Sequence, residues 1–292
     1  MANSIAYAEI FQQILDEQIV QESVTGWMDA QGVIYDGGKT VKIPKVSMSG
    51  LGDYSRATGY AKGAITLAYE QRTMTQDRGA QFILDQMDVN ETNFVAEATR
   101  MLAEFQRTQV IPEVDAYRLS ALATAAPSAN VESSYTPNAS TILAKLAAAT
   151  KIGDENAVIY MSPDALEALE VAVGANNISS VNFTQGGFDQ RVPAFNGRPI
   201  IKADQSRLVT AITTKNISGN DNGGWSKATG AADINFMVVP RYAPIAVDKL
   251  DEPKIFEPAQ VQDYSGWLID YRRYHDLWVA DNKKVGIYVN TK

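Results

Sequence analysis

The chain is 292 residues long and 45% hydrophobic, with a formal net charge of −8, a single histidine and no cysteine. That length supports one large or two ordinary domains with a real core. Without cysteine there are no disulfides, thiolate metal sites or cysteine nucleophiles, and the acidic balance argues against broad nucleic-acid affinity.

Taken in chain order, residues 5–20 read as an amphipathic helix, with Ile5, Ala8, Phe11, Leu15 and Ile19 at helical spacing and no local partner for that face. The N-terminus lacks the basic segment of a signal peptide, and no apolar run approaches the length of a membrane span. Residues 39–46 alternate basic and apolar residues. Val41, Ile43 and Val46 are expected on one face, with Lys39, Lys42 and Lys45 toward solvent and Pro44 marking an edge strand. Glycines at 50, 52, 59 and 63 follow, then a returning strand over 64–72. The whole of 39–76 reads as a projecting hairpin with too few large apolar residues to form its own core, so it needs something outside itself to lie on.

The strongest helix signal spans 88–124. Asp88 and Glu91 sit at capping-box spacing, Phe94, Ala98, Met101 and Phe105 form a stripe, and Pro112 predicts a kink or restart. Residues 127–137, bounded by prolines, read as a linker or domain crossing. A helix over 138–150, a buried strand over 157–161 and a helix over 162–173 come next, the last with Ser162 as cap and Pro163 at its first position. A short strand at 198–202, an exposed loop at 216–230 and a strand at 233–239 complete an α+β unit over about 130–240, inserted into a host domain. At the C-terminal end, β-rich runs at 267–280 and 285–289 flank Asp281-Asn282-Lys283-Lys284, the pattern of a hairpin.

Charge is unevenly spread. Residues 1–38 contain no Lys or Arg and carry Glu9, Asp16 and Glu17 among their acids. Residues 39–72 reverse this with Lys39, Lys42, Lys45, Arg56, Lys62 and Arg72, and 77–120 turn acidic again, with Glu97 and Glu104. Such blocks read as solvated faces or as complementary patches on different copies of the chain. Each surface pair contributes only ~0–1 kcal/mol, so the effect is on register more than affinity.

Motifs for chemistry are scarce. There is no phosphate-binding loop, no nucleophile elbow, and the Asp/Asn-rich run 219–223 lacks the spacing of a calcium loop. His275 alone has no partners for a metal or triad and reads as an ordinary sheet residue. No catalytic residue, metal or cofactor is expected.

Three stretches carry a resemblance: Gln81-Phe82-Ile83-Leu84-Asp85-Gln86-Met87-Asp88 leading into the helix, Glu104-Phe105-Gln106-Arg107 through Pro112-Glu113-Val114-Asp115-Ala116-Tyr117-Arg118, and residues 267–289. Together, in this order and spacing, they resemble the major capsid proteins of tailed phages of the Hong Kong 97 type. The resemblance implies an N-terminal arm (1–38), an extended β-hairpin loop (39–76) lying on a neighbouring subunit, a peripheral domain with a long spine helix (77–129 and 241–292) and an inserted axial domain (130–240). It implies a non-enzymatic protein that assembles into hexamers and pentamers around phage double-stranded DNA, in the virion, after assembly in the host cytoplasm. Expected partners are further copies of itself, a separate scaffolding protein, a portal and decoration proteins, with no membrane. Lys39, Lys42, Lys45, Arg56, Lys62, Arg72, Glu9, Asp16, Glu17, Glu97, Glu104, Arg272 and Arg273 are the candidate subunit-contact residues. Lys62 occupies the position of the lysine that crosslinks subunits in some members, but no residue here identifies its asparagine partner. A cellular nanocompartment shell of similar fold is the alternative, and a soluble enzyme with a carboxylate-based site the remote one.

Overall fold

The computed structural model describes residues 23–29, 34–35, 40–57, 59–85, 94–152, 155–174, 178–185, 188–218, 221–256, 260–261 and 266–292. The amphipathic segment 5–20, the acids Glu9, Asp16 and Glu17, Lys39, and the capping box at Asp88 and Glu91 lie outside the described residues, as does the side chain of Glu97.

Strands β1 (Ile34–Tyr35), β2 (Thr40–Met48) and β3 (Ile65–Thr73) form one antiparallel sheet in that order, with Thr40 opposite Thr73 and Met48 opposite Ile65. β1 pairs with β2 only at Val41 and Lys42, so Pro44, which has no amide to donate, lies where β3 is the only described partner. Strand β4 (Gln76–Asp85) continues from β3 into a different sheet.

The long helix is continuous but not uniform. Helix α1 (Phe94–Phe105) passes into a π-helical stretch, Gln106–Val110, and then into α2 (Ile111–Ala125). The Ile111 amide donates to the Gln106 carbonyl, the wide-turn bond of a π segment. Pro112 lacks an amide and its ring crowds the preceding turn, so the expected break appears as a widening just before it.

Next come β5 (Val131–Glu132), α3 (Ile142–Ile152), β6 (Ala157–Met161), α4 (Pro163–Val173), β7 (Ser179–Gln185), β8 (Phe188–Phe195) and β9 (Arg198–Lys202). The short strands β10 (Ile212–Thr214), β11 (Ile217–Ser218), β12 (Asp221–Asn222) and β13 (Trp225–Lys227) replace the loop expected there. β14 (Ile234–Pro240), β15 (Pro244–Phe256), β16 (Gly266–Val279) and β17 (Tyr288–Thr291) follow. The α4 cap is as read from sequence: Ser162 Oγ accepts from the Ala165 amide at 3.3 Å and Pro163 opens the helix.

The centre of the fold is a seven-stranded sheet in the order β5-β17-β14-β6-β9-β8-β7. Its middle strands β6 and β14 are buried at every residue and read as nearly continuous apolar runs, with the side-chain amide of Asn235 donating to the Tyr135 carbonyl and Asn290 Oδ1. Ile159, Met161, Phe236 and Val238 pack under α3 and α4, while Val158, Tyr160, Met237 and Val239 pack against Leu119 and Leu122 of α2 on the opposite face. A second sheet, β15-β16-β4, is covered by α1 and the π segment through Leu102, Phe105, Ile269 and Tyr271.

Three expectations are corrected. Residues 267–280 and 285–289 do not form a hairpin: β16 pairs with β15 and β4, and β17 crosses into the seven-stranded sheet between β5 and β14. The turn after Asp281 leads into a 3-10 turn at Lys284–Gly286, and a Cβ on Gly286 would stand 2.7 Å from the Pro240 ring, so the crossing depends on glycine. Residues 127–137 are more than a linker, because β5 runs parallel to β17 and Asn130 Nδ2 donates to the carbonyls of Val285 and Ile287 at 2.7 and 3.1 Å. Val46 does not share a face with Val41 and Ile43; Lys45 does, because side chains alternate along a strand.

Candidate functional site

The hairpin β2–β3 has two faces of opposite character. Near its base Val41 and Ile43 are buried with Met74 against Val247 and Tyr274 of the β15-β16-β4 sheet. The rest of that face is polar, with Arg72 and Glu70 directly across from Val41 and Ile43, Lys45 paired to Glu70 at 3.3 Å and Arg72 reaching Glu70 and Asp281 at 3.4 and 3.5 Å. The other face is apolar throughout its outer half. Pro44 stands opposite Tyr69, Val46 opposite Leu67 and Met48 opposite Ile65, forming a ladder of three rows. Val46, Met48, Ile65, Leu67 and Tyr69 are 46%, 71%, 75%, 59% and 53% exposed. This patch, on the order of 500 Å², lies in the range in which the largest apolar patch of a monomer is often functional.

The root of the hairpin is clamped. The Thr75 amide and hydroxyl donate to Asp276 Oδ2 at 2.8 and 3.0 Å, Tyr117 Oη donates to Asp276 Oδ1 at 2.6 Å, and Tyr274 Oη donates to the Met74 carbonyl at 3.1 Å. Spine helix, C-terminal sheet and hairpin therefore meet at one carboxylate. The tip is also built: the Ser49 and Ala64 backbones bond at 3.0 Å, Ser55 and Gly59 exchange two bonds, and Tyr54 and Tyr60 lie 5.0 Å apart by ring centroids. Leu51, at the extremity, is fully exposed.

Behind the hairpin root lies a buried charged group. Arg118 reaches Asp29 and Asp248 at 2.8 and 3.2 Å, and Arg273 reaches Asp248 at 2.8 Å and Asp251 at 3.3 Å. Burial opposes the charge on Arg273, but Asp248 and Asp251 outweigh it and raise its pKa. Burial likewise works against ionised Asp248, and Arg273 and Arg118 outweigh it and hold its pKa down. His275 is 2% exposed, packs edge-on to Tyr117 at 5.5 Å, and has a pKa lowered to about 3 by desolvation, reinforced by Arg273. It is neutral at physiological pH and sealed from solvent. Residues 23–29 are tied to the same helix: buried Asp115 accepts from Ser23 Oγ, Thr25 Oγ1 and Arg207 Nη1 at 2.7, 2.5 and 3.1 Å.

The candidate contact residues divide accordingly. Arg56 and Lys62 are exposed at the tip, Lys42 is half-buried on the apolar face, and Lys45 and Arg72 are held in ion pairs within the hairpin. Glu104 pairs with Arg107 at 2.7 Å one helical turn away, and this bond holds its carboxyl below the usual range. Arg272 is exposed and pairs with Asp77 at 2.7 Å. Arg273 is corrected: at 5% exposure it is an interior residue, because adjacent strand positions face opposite sides of the sheet. Other acids of the 77–120 segment, Asp115, Glu113 and Asp77, are engaged inside the subunit with Arg207, Arg78 and Arg272. The feature missing from the sequence reading is the apolar ladder itself, although Ile65, Leu67 and Tyr69 alternate in plain view.

Chemically this surface is built to bind. Among the described residues no group of three or more His, Asp or Glu is arranged to hold a metal ion, and no helix is long and apolar enough to cross a membrane.

No known family model matches the chain, and no curated protein matches it. Solved structures do. A subunit of the mature capsid of bacteriophage PhiM1 aligns over 92% of this chain and 86% of its own, with a TM-score of 0.58 at 10% identity. The capsid of cyanophage P-SCSP1u aligns over 90% and 86%, with a TM-score of 0.56 at 14% identity. The SrpI encapsulin of Synechococcus elongatus PCC 7942 aligns over 87% and 81%, with a TM-score of 0.53 at 11% identity. The chain shares the fold of these shell subunits along nearly its whole length.

Proposed function

We propose that the chain is a major capsid protein of a tailed phage, a structural subunit whose copies form the closed shell around the double-stranded DNA genome. The observation that carries this reading is the three-row apolar ladder exposed on a clamped, projecting hairpin, in a chain whose fold is that of shell subunits. An apolar face of that size, matched by an equal area on a second copy, buries ~1,000 Å², the lower bound for a specific contact. In this reading residues 39–76 are the extended loop, 77–129 and 241–292 the peripheral domain of Hong Kong 97 type, and 130–240 the axial domain that meets its copies in hexamers and pentamers. Strand β17 then belongs by sequence to the peripheral part and by pairing to the axial sheet. Scaffolding, portal and decoration proteins complete the assembly in the host cytoplasm, and Arg56, Lys62 and Arg272 are the exposed cations best placed to meet a neighbour.

Light scattering after size exclusion, with negative-stain microscopy, tests the reading. Capsomers or megadalton shells are the expected result; a monomer under all conditions, with scaffolding protein present, overturns it. The likeness to an encapsulin supports a second reading, a cellular nanocompartment. Particles that protect DNA from nuclease separate the phage shell from one that protects protein cargo.

A further inference from the structure

Two buried guanidinium groups bracket a small cavity beside residues 23–29. It measures about 20 Å³, and its lining includes Ser23 and Asp29 of that segment, Ile111, Val114 and Arg118 of α2, and Arg273 of β16. Arg118 and Arg273 are 2% and 5% exposed. Arg118 Nη1 donates to the Thr25 carbonyl at 3.3 Å and Nη2 to Asp29 and Asp248 at 2.8 and 3.2 Å, while Arg273 Nη2 donates to Asp248 at 2.8 Å. Arg118 Nε and Arg273 Nε are also buried and have no hydrogen-bond partner among the described residues. Arg273 Nη1 lies 3.3 Å from Asp251 but makes no hydrogen bond to it.

We infer that this cavity holds one ordered water molecule, which accepts from the Nε–H groups of Arg118 and Arg273 and donates to the Asp29 carboxylate. Size, polarity and charge each argue for that occupant. A buried water needs ~10–15 Å³ and two to four polar partners, and the cavity supplies the space and the partners for a single molecule. Guanidinium donates and never accepts, so whatever sits between two of them must accept; an apolar filler would leave their N–H groups unsatisfied. Water and a small anion such as chloride both accept. Charge decides between them. The two arginines already face three carboxylates, Asp29, Asp248 and Asp251, while His275 is neutral. A chloride would add to that surplus of buried negative charge, whereas water adds none and can also donate. The water is then a shared joint. The ion pairs of Arg273 run to Asp248 and Asp251 of β15, so its link to residues 23–29 passes through the water, whereas Asp115 holds Ser23 and Thr25 directly.

High-resolution density from crystals of the full chain is the test. The expected result is one isolated peak about 2.7–3.2 Å from both Nε atoms. Crystals grown with bromide in place of chloride are expected to show no anomalous peak there. A bromide peak overturns water as the occupant, and guanidinium groups turned onto neighbouring carboxylates with no density between them overturn the site itself. A second measurement uses Arg118→Lys, which keeps a cation near Asp29 and Asp248 but has no Nε–H group. The peak is expected to vanish, and amide exchange over residues 24–28 to quicken about tenfold with β6 and β14 unchanged. A peak that persists in Arg118→Lys overturns the bridge, and unchanged exchange overturns its role as a joint. If this variant fails to fold, the wild-type density still decides.

Discussion

Arg272 and Arg273 are neighbours in sequence and lie on opposite sides of the same strand, one in solvent with Asp77, the other sealed between Asp248 and Asp251. Their replacement separates surface from interior electrostatics. Arg272→Ala removes a solvent-exposed pair and is expected to leave the unfolding midpoint almost unchanged. Arg273→Met removes the ion pair to Asp251 and one of two cations from Asp248, which keeps Arg118, and is expected to cost on the order of 3 kcal/mol. Urea denaturation of the two variants checks the contrast, and equal midpoints would refute the placement of Arg273.

Val46 and Leu67 form the middle row of the exposed ladder. The double variant Val46→Lys/Leu67→Glu, which places opposite charges across the pair, is expected to change subunit stability by no more than ~1 kcal/mol, since both side chains already face water. Particle yield by sedimentation should fall at least tenfold. Normal shells from this variant would remove the ladder from the account of assembly.

Asp276 gathers the Thr75 amide, the Thr75 hydroxyl and the Tyr117 hydroxyl. Asp276→Ala orphans these donors and is expected to cost ~2–4 kcal/mol. Hydrogen exchange at residues 74–76 should accelerate much more than exchange in β6 or β14. Uniform acceleration across the chain would mean that the carboxylate supports the whole fold instead of the hairpin root.

His275 gives a pH signature. Its folded pKa is depressed to about 3, whereas the unfolded chain takes up the proton near the ordinary value of 6.5. Between those values the unfolded state binds more protons, so stability falls as pH drops below 6.5 and is unaffected above it. The expected loss from pH 6.5 to pH 5 is on the order of 1.5 kcal/mol, in a window where most carboxylates remain ionised. His275→Gln should flatten unfolding free energy over this window. A slope that survives the substitution would assign it to other groups.

What sequence revealed was mostly local. The Ser162-Pro163 start of α4 and the buried run of β6 follow from residues within a few positions of one another, and the pairing of β2 with β3 from two β-rich runs flanking a glycine-containing tip. The π segment was half visible: Pro112 announces a defect, but its form depends on how the helix packs on Phe82 and Tyr271. The mistaken C-terminal hairpin shows the limit. A turn after Ala280 is legible, yet the choice of partner for Tyr288–Thr291 is made by β14 and β5, far upstream. The 13-residue strand β15 was hidden by its charges and by Pro253, which an edge strand tolerates. Within the candidate site, the hairpin was weighed for a core of its own, so the regular spacing of Ile65, Leu67 and Tyr69 went unread as a face awaiting a partner. Arg273 looked like surface because its partners, Asp248 and Asp251, come from another strand.

The position of β17 has a consequence for how the polypeptide matures on the ribosome. Its neighbours Val131–Glu132 and Ile234–Pro240 are synthesised long before it, and they remain open sheet edges until residues 288–291 emerge. Every nascent chain thus passes through a stage with unpaired strands and high contact order, slow to fold and prone to stick. The hairpin of β2 and β3 is likewise complete before these edges are paired, so closure of the central sheet waits on the last strand of the fold.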